Sequence, residues 1–340
     1  MQIDFLPQGA LCAGMTIIVT GAAGFVGFHV TQALLARGER VIGVDVVNDY
    51  YDPRLKEARL AQIKSDRFTF HRLNIADREG MFKALAQESD VTGIIHLAAQ
   101  AGVRYSLQNP YAYIEANVMG HVVMLELARQ YKNLKHFVYA SSSSVYGGNT
   151  KMPFAIEDNV DHPVSLYAAT KRTDELISHT YAHLYRLPQT GLRFFTVYGP
   201  WGRPDMAYFS FTKNIIEGKT IQLFNNGVMQ RDFTYIDDIV AGILGVLDHP
   251  PVDPGLGVGV PARVYNLGNC NSEPLGRFVE VLEAAIGKKA IIEYAPMQAG
   301  DVPATYADIE ASRRDFGFEP RVGIEEGLPR FVAWYRQHYN

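Results

Sequence analysis

Cysteine, net charge and long apolar segments are all scarce in this sequence, and each scarcity excludes a class of protein. The 340 residues include 2 cysteines, Cys12 and Cys270, which lack the spacing of metal ligands, so no metal site is predicted. The formal charge of −4 and a pI near 6.2 argue against a general binder of nucleic acids or membrane surfaces. No apolar run approaches the ~20 residues that a membrane-spanning helix needs. We therefore expect a cytoplasmic protein with a small-molecule ligand and no nucleic-acid or membrane partner.

The chain contains enough hydrophobic residues to form a substantial core. With 47% hydrophobic and 20% charged residues, the chain has room for one large domain or two. Residues 1–14 have neither the basic segment nor the long apolar segment of a signal peptide. Because Met15 directly precedes the first strand pattern, we expect 1–14 to be an extension that takes no part in the fold.

A glycine-rich turn follows the first strand pattern. The β-branched run from Met15 to Thr20 leads into Gly21, Gly24 and Gly27 and then into an apolar-periodic helix. A strand, a glycine turn and a helix in this order let backbone N–H groups and a helix N-terminus face a pyrophosphate. The spacing departs from the G-x-G-x-x-G fingerprint. By itself it also fits a plain tight turn between a strand and a helix.

An acidic residue closes the next predicted strand, Arg40 to Val44. Asp45 stands where an acid accepts hydrogen bonds from the hydroxyl groups of an adenosine ribose. Val46 follows it instead of an arginine, so the sequence shows no cation there to bind the 2′-phosphate of NADP. The pattern therefore favours NAD over NADP. A solvated strand end is the alternative interpretation of Asp45.

Strand and helix patterns continue to alternate, which indicates a Rossmann-like, doubly wound parallel sheet of the α/β class with a cofactor at the strand ends. His96 lies within a buried-strand pattern, so we interpret it as a packed, hydrogen-bonded histidine. The predicted elements after Asp45 are helices Pro53–Lys64 and Asp77–Gln87, strands Phe68–Leu73, Gly93–Leu97 and Lys135–Ala140, and helices Tyr111–Tyr131 and Leu166–Arg186.

Hydroxyl groups and a tyrosine–lysine pair form the candidate chemistry. Four serines, 141–144, follow a buried-strand pattern, and Tyr167 and Lys171 lie one helical turn apart. Residues four apart share a helix face, so the ammonium, together with a cationic nicotinamide, can lower the ordinary phenol pKa of ~10 towards neutrality. Tyr167 would then act as base and acid on a sugar alcohol. Without the upstream motifs, such a pair also fits ordinary surface and packing residues.

Together these motifs resemble the extended short-chain dehydrogenase/reductase family, in particular its nucleotide-sugar epimerases. The resemblance runs from Met15 to about Tyr335. Its carriers are TGAAGFVG (20–27), Asp45, HLAAQAGVR (96–104), Asn117 in ANVMG, SSSSVYG (141–147), YAATK (167–171) and RFFTVYGPWGRP (193–204). It implies bound NAD, contacted by Gly21, Gly24, Phe25, Val26, Gly27, Asp45, Asn74, Ile75, Leu97, Ala98, Ala99, Tyr167 and Lys171. Asn74 departs from the family, which usually has an Asp there to hold the adenine.

The resemblance also implies the catalytic set Tyr167, Lys171, Ser142 and Ser144. Either serine hydroxyl can donate to the sugar C4 oxygen and relay its proton, and the sequence leaves the two open. Related dehydratases and decarboxylases carry carboxylates just before Val-Tyr-Gly, where this chain has Ser143 and Ser144. The expected reaction is therefore epimerisation through a transient 4-keto sugar.

A smaller α/β substrate-binding region is expected where the alternation breaks after Thr196. The resemblance assigns 15–198 plus about 234–268 to an NAD-binding domain, and 199–233 plus about 269–340 to a nucleotide-sugar-binding region. The implied substrate contacts are Arg104, Ser142, Ser143, Ser144, Tyr167, Thr196, Arg203, Lys213, Gln222, Phe224, Arg231 and Asp301. Arg231 would bind the diphosphate, and Lys213 and 222–225 would lie near the nucleotide base.

The segment 199–206 most resembles the uronate 4-epimerases of the family. Arg203 would hold a C6 carboxylate by a charge-assisted bond, and Gln298 stands where neutral-sugar relatives often have an arginine. We expect a homodimeric enzyme that reversibly converts UDP-glucuronate to UDP-galacturonate. The alternatives are a 4-epimerase of neutral UDP-hexoses, such as UDP-glucose or UDP-N-acetylglucosamine, and a non-catalytic NAD-binding sensor.

Overall fold

A seven-stranded, fully parallel sheet forms the centre of the fold. The computed structural model describes residues 14–298 and 300–339, so the expected extension lies almost wholly outside them. The strands are β1 (Thr16–Thr20), β2 (Arg40–Asp45), β3 (Phe68–Arg72), β4 (Val91–His96), β5 (His136–Ser142), β6 (Gln189–Phe194), β7 (Thr196–Tyr198), β8 (Thr220–Leu223), β9 (Gln230–Tyr235), β10 (Ala262–Leu267), β11 (Ser272–Pro274) and β12 (Ile291–Tyr294). The central sheet has the order β3-β2-β1-β4-β5-β6-β10. This confirms the doubly wound α/β prediction.

Helices cover both faces of the sheet, which is why its inner strands are apolar throughout. The helices are α1 (Phe25–Ala36), α2 (Pro53–Gln62), α3 (Arg78–Leu85), α4 (Tyr105–Gln108), α5 (Pro110–Tyr113), α6 (Gly120–Ala128), α7 (Leu166–Tyr185), α8 (Ala207–Glu217), α9 (Ile236–Leu247), α10 (Leu275–Ile286), α11 (Glu310–Phe316) and α12 (Ile324–Tyr339). Along β1, Ile17 and Val19 enter the core that contains α1 and α9, whereas Ile18 enters the core that contains α3 and α6. Alternation along a single strand thus supplies two cores.

The predicted helix Tyr111–Tyr131 is divided in the structure. A π-helical segment, Ile114–Met119, joins α5 to α6, and the helix ends at Ala128. A π segment adds a residue to the turn and changes which side chains face inward. The apolar pattern predicted the helix but not this insertion, because one extra residue barely alters an amphipathic pattern.

A smaller body of strands and helices packs beside the carboxyl end of the sheet. Strands β7, β9 and β11 form one sheet, and β8 pairs with β12 in another. The packed aromatic rings of Phe233 and Phe278 lie 4.2 Å apart and join β9 to α10. Helix α9 follows β9 directly and returns to the central sheet beside α1. Of the helices in the described part of the chain, none combines the length and apolarity needed to cross a membrane.

Candidate active site

The glycine turn between β1 and α1 is held by close backbone contacts. The N–H of Gly21 donates to the carbonyl of Val44 at 2.7 Å, and that of Gly24 donates to the carbonyl of Gly21 at 2.8 Å. Gly21 has a φ of +73°, and a Cβ on Gly27 would lie 2.0 Å from the Gly21 carbonyl oxygen. The turn therefore requires glycine at these positions for its own backbone conformation and packing, as well as for the approach of a ligand.

Asp45 ties the end of β2 to this turn. Its Oδ2 accepts from the N–H of Ala23 at 3.1 Å, and its Oδ1 accepts from the N–H of Val47 at 2.8 Å. Gly24 caps α1 without a side-chain hydrogen bond, which leaves the first N–H groups of the helix for an anion. An open helix N-terminus beside a fixed carboxylate fits the pyrophosphate and adenosine ribose of a dinucleotide.

A cleft of about 430 Å³ opens over this turn. Every residue predicted to contact NAD lines it: Gly21, Gly24, Phe25, Val26, Gly27, Asp45, Asn74, Ile75, Leu97, Ala98, Ala99, Tyr167 and Lys171. Asn74 already has local partners, since its Nδ2 donates to Glu115 at 3.0 Å and its Oδ1 accepts from the N–H of Ala76 at 3.0 Å. Within the described residues, no group of three or more His, Cys, Asp or Glu side chains is arranged to hold a metal ion.

Ser142, Tyr167 and Lys171 reach the cleft from two different elements. Ser142 ends β5 and its Oγ accepts from the N–H of Ser144 at 3.2 Å, which caps a short 3₁₀ turn. Tyr167 and Lys171 lie in the first turns of α7, and the ring of Tyr113 meets that of Tyr167 edge-on at 6.1 Å. Ser142 belongs to the cleft lining, whereas Ser143 and Ser144 do not.

Lys171 is bonded to a buried carboxylate that sequence reasoning missed. Its Nζ donates to Oδ2 of Asp174 at 3.0 Å. Burial raises the pKa of Asp174 to about 6, against the opposing effect of the Lys171 charge. The i, i+3 spacing of the two residues on one helix was the available signal.

A second buried network holds α7 against the sheet. Glu175 accepts from Arg193 Nε at 2.9 Å, from Arg193 Nη2 at 2.9 Å, and from the hydroxyl of Ser141 at 2.6 Å. Arg193 lies on β6 and Ser141 on β5, so one carboxylate joins three elements. It thereby fixes the positions of Ser142 and Tyr167 relative to each other.

We expect Glu175→Ala to lower the free energy of unfolding by about 3–5 kcal/mol, because it leaves the buried Arg193 guanidinium without its counter-ion. Denaturant unfolding measures this change. Glu319→Ala is the matched control, since Glu319 also pairs with an arginine through two nitrogens but is exposed, and it should cost about 1 kcal/mol or less. Equal losses in the two variants would contradict a structural role for Glu175.

Asn117 joins the loop after β4 to α7, and it owes this position to the π-helical segment. Its Oδ1 accepts from the N–H of Gln100 at 2.8 Å. Its Nδ2 donates to the carbonyl of Gln100 at 3.1 Å and to the hydroxyl of Thr170 at 2.9 Å. The sequence marked Asn117 as a motif residue, but it gave no indication of these partners.

Arg203 lines the cleft and is already paired within the chain. Its Nε donates to Oδ1 of Asp205 at 3.1 Å and its Nη2 donates to Oδ2 of Asp205 at 2.5 Å. Tyr50 also donates to Asp205, at 3.1 Å, and its pKa is raised to about 12, mainly by burial. Because Arg203 belongs to the cleft lining, its guanidinium adjoins the space that a ligand would occupy.

The segment around Arg203 is fastened to the glycine turn by Arg59, another residue that sequence reasoning missed. The Arg59 side chain is fully buried. It donates from Nη1 to the carbonyl of Ala23 at 3.0 Å, and from Nη2 to those of Trp201 at 2.7 Å and Gly202 at 3.1 Å. The cofactor turn and the segment 199–206 are thus held together by one guanidinium.

A separate cluster contains four of the predicted substrate residues. Arg104 pairs with Asp301 at 3.1 Å, and its guanidinium lies 4.5 Å from the ring centre of Phe224. Arg231 donates only to backbone carbonyls, and burial lowers its pKa despite the nearby charge of Asp301. This cluster therefore has cationic nitrogens available to an anion.

The remaining three predicted substrate residues lie outside the cleft lining and outside these contacts. Thr196 begins β7, between the cleft-lining residues Phe195 and Val197. Lys213 is exposed on α8 and forms no ion pair within 14–298 and 300–339. Gln222 lies on the exposed side of β8 and donates to Glu293 at 3.2 Å.

The fold and the site define a class: a dinucleotide-binding α/β protein with a tyrosine–lysine pair and a serine at the cofactor cleft. Residues 17–268 match the model of the NAD dependent epimerase/dehydratase family, and the chain belongs to that family. It is 49% identical to UDP-glucuronate 4-epimerase 4 of Arabidopsis thaliana, over 96% of this chain and 76% of that protein.

Solved structures show the same similarity. The UDP-glucuronic acid 4-epimerase of Bacillus cereus, in complex with UDP-glucuronic acid and NAD, has a TM-score of 0.86 and 32% identity, covering 96% of this chain and 100% of that one. The UDP-glucose 4-epimerase of Thermotoga maritima, with UDP-glucose, has a TM-score of 0.84 and 29% identity, again over 96% and 100%.

Proposed function

We propose that this protein is an NAD-dependent UDP-glucuronate 4-epimerase that interconverts UDP-glucuronate and UDP-galacturonate. The observation that carries the proposal is the convergence of Ser142, Tyr167 and Lys171 on the glycine-rich cleft. The 49% identity to a plant UDP-glucuronate 4-epimerase supports the uronate over a neutral hexose.

In the proposed mechanism, Tyr167 takes the proton of the C4 hydroxyl as hydride leaves C4, and it returns a proton to the C4 oxygen when hydride is restored to the opposite face of C4. Ser142 donates to the C4 oxygen and relays the proton; its place in the cleft lining favours it over Ser144. The Lys171 ammonium supplies a positive charge at the same cleft. Bound NAD supplies reversible hydride acceptance at C4.

The carboxylate of the substrate needs its own restraint, because a 4-keto uronate is a β-keto acid and can lose carbon dioxide. Arg203 lines the cleft and binds the carboxylate by a charge-assisted bond from its guanidinium. Thr196 is the second residue proposed for this restraint, and it lies in sequence between the cleft-lining residues Phe195 and Val197. The pairing with Asp205 holds the Arg203 side chain in place for this task.

The cluster of Arg104, Phe224, Arg231 and Asp301 is the proposed site for the nucleotide. Arg231 binds the diphosphate, and Asp301 accepts from the ribose. Lys213 and Gln222 would lie towards the base. This assigns 199–233 and about 269–340 to the nucleotide sugar, and 15–198 with about 234–268 to NAD.

We infer that the protein is a homodimer in the cytoplasm. Exposed apolar side chains lie on the segment α5–α6 and on α7, among them Tyr111, 82% exposed, and Leu176, 53% exposed. Association through these helices would bury them in a symmetric interface. Light scattering at micromolar concentration tests the dimer, and a monomeric mass would contradict it.

A substrate panel tests the function. Purified protein is incubated separately with UDP-glucuronate, UDP-glucose and UDP-N-acetylglucosamine, and each mixture is followed by NMR. We expect UDP-galacturonate from the first and much slower change in the other two. Turnover confined to a neutral sugar would overturn the uronate assignment, and no turnover of any would favour a non-catalytic NAD-binding protein.

A further inference from the structure

The Lys171 ammonium, one helical turn from Tyr167, is not an isolated positive charge. It donates to Asp174 at 3.0 Å, and the two side chains are 4% and 2% exposed. Lys171 lines the cleft and Asp174 does not, so the carboxylate lies behind the ammonium. An ammonium has three donors, which leaves two for groups in the cleft.

Apart from Lys171, the titratable side chains packed around Asp174 carry no charge that could neutralise its carboxylate. His121 on α6 is buried with its pKa well below the ordinary value, and the pKa of His96 on β4 is lowered to about 3, both mainly by burial. Both rings are therefore neutral at ordinary pH. Tyr139 on β5 has its pKa raised by burial and stays a neutral phenol.

The acid next to Asp174 in the sequence is engaged elsewhere. Glu175 is bonded to Arg193 and Ser141 and does not compete for Lys171. Oδ1 of Asp174 is buried without a hydrogen-bond partner among the described residues. The Lys171 ammonium is thus the group that compensates the Asp174 charge.

A carboxylate at this distance reduces the field that the ammonium exerts on its surroundings. Two opposite charges 3 Å apart act on a third group as a dipole, which falls off faster with distance than a single charge. The Lys171–Asp174 pair therefore exerts a weaker field on the cleft than an unpaired ammonium one helical turn from Tyr167 would.

We propose that Asp174 is a positioning residue that holds the Lys171 ammonium at the back of the cleft and, while ionised, restrains the acidity of Tyr167. This rests on the proposed function in so far as Tyr167 is the acid and base. Neutralising Asp174 makes Tyr167 a stronger acid. Protonation of the carboxylate, whose pKa burial raises to about 6, does the same.

The test titrates the Tyr167 phenol directly, without relying on turnover. Protein with ¹³C-labelled tyrosine rings is followed by NMR against pH, and the Tyr167 signal is the one absent from Tyr167→Phe. We expect the Tyr167 midpoint in Asp174→Asn to fall by about one pH unit, a tenfold change in its ionisation constant. An unchanged or higher midpoint would overturn the proposal.

Three variants control for the fold and for charge. Asp161→Asn removes the same charge from a side chain that is 62% exposed and pairs with Arg172 on α7, and it should leave the midpoint unchanged because solvent screens that charge. Asp174→Glu keeps the charge and should titrate like the parent protein. If Asp174→Asn does not fold, Asp174→Ser supplies a neutral side chain, with the same fall expected.

Turnover provides the second readout. For UDP-glucuronate, the limb of the kcat profile that reports Tyr167 should move to lower pH by the same amount in Asp174→Asn, with KM nearly unchanged. A loss of kcat without a shift would indicate a merely structural role and overturn the proposal. If no nucleotide sugar is turned over but the NMR midpoint still falls, the proposed function fails and the role of Asp174 stands.

Discussion

Tyr167→Phe should lower the epimerase turnover of UDP-glucuronate by roughly 10³-fold, because it removes the proposed acid and base and leaves the ring in place. The edge-on contact with Tyr113 does not need the hydroxyl. NAD and UDP-glucuronate should therefore bind within a few-fold of the parent affinity. Turnover by NMR and binding by calorimetry measure the two effects separately.

Tyr105→Phe is the matched control for this change. Tyr105 packs near Tyr113, and its hydroxyl accepts a bond from Asn109 outside the cleft lining. Its loss should alter turnover less than about threefold, corresponding to a fraction of a kcal/mol. If Tyr167→Phe kept turnover within tenfold of the parent, another group would have to be the acid and base.

Gly27→Ala should abolish measurable NAD binding and lower the free energy of unfolding by about 3 kcal/mol. The added methyl would lie 2.0 Å from the carbonyl oxygen of Gly21 and 3.1 Å from the nitrogen of Ala22, and both are backbone atoms of the turn. The turn would have to move away from α1, which displaces the N–H groups that face the cofactor. Denaturant unfolding and titration with NAD provide the measurements.

Gly276→Ala makes the same chemical change where nothing lies within 4 Å of the new methyl. Gly276 is the second residue of α10, so alanine should stabilise the protein by up to about 1 kcal/mol through its helix propensity. NAD binding should be unchanged. A Gly27→Ala protein that unfolds and binds NAD like Gly276→Ala would show that the close packing of the turn is unimportant.

The cofactor half of the site was predictable because most of its residues follow the strands of a parallel sheet. The turn at Gly21, the acid at Asp45 and the small residues after β4 each end a strand. Parallel strands bring their carboxyl ends to one edge of a sheet. Element order predicted a cofactor at this edge, the resemblance to the family named the individual contacts, and all of them line one cleft in the structure.

The substrate half was predictable only in part. Family position brought Arg104, Phe224, Arg231 and Asp301 together, and the structure agrees that they adjoin. Lys213, assigned by the same reasoning, is exposed on α8 outside this cluster, and its role stays a prediction. These residues come from loops and short strands, whose relative positions carry no periodic signal.

By itself, the sequence determined the parallel sheet, the cofactor cleft and the presence of a tyrosine, a lysine and serines at its edge, because hydrophobic periodicity and motif order are local properties. Only the tertiary structure decided which partners hold these side chains in place. The pairing of Arg203 with Asp205 and the fastening of Arg59 to Gly202 depend on backbone paths that no local pattern encodes. The Asp174 carboxylate beside Lys171 also depends on the tertiary structure. The i, i+3 spacing allows the ion pair, but only burial in the folded core, where solvent does not screen it, makes the interaction strong.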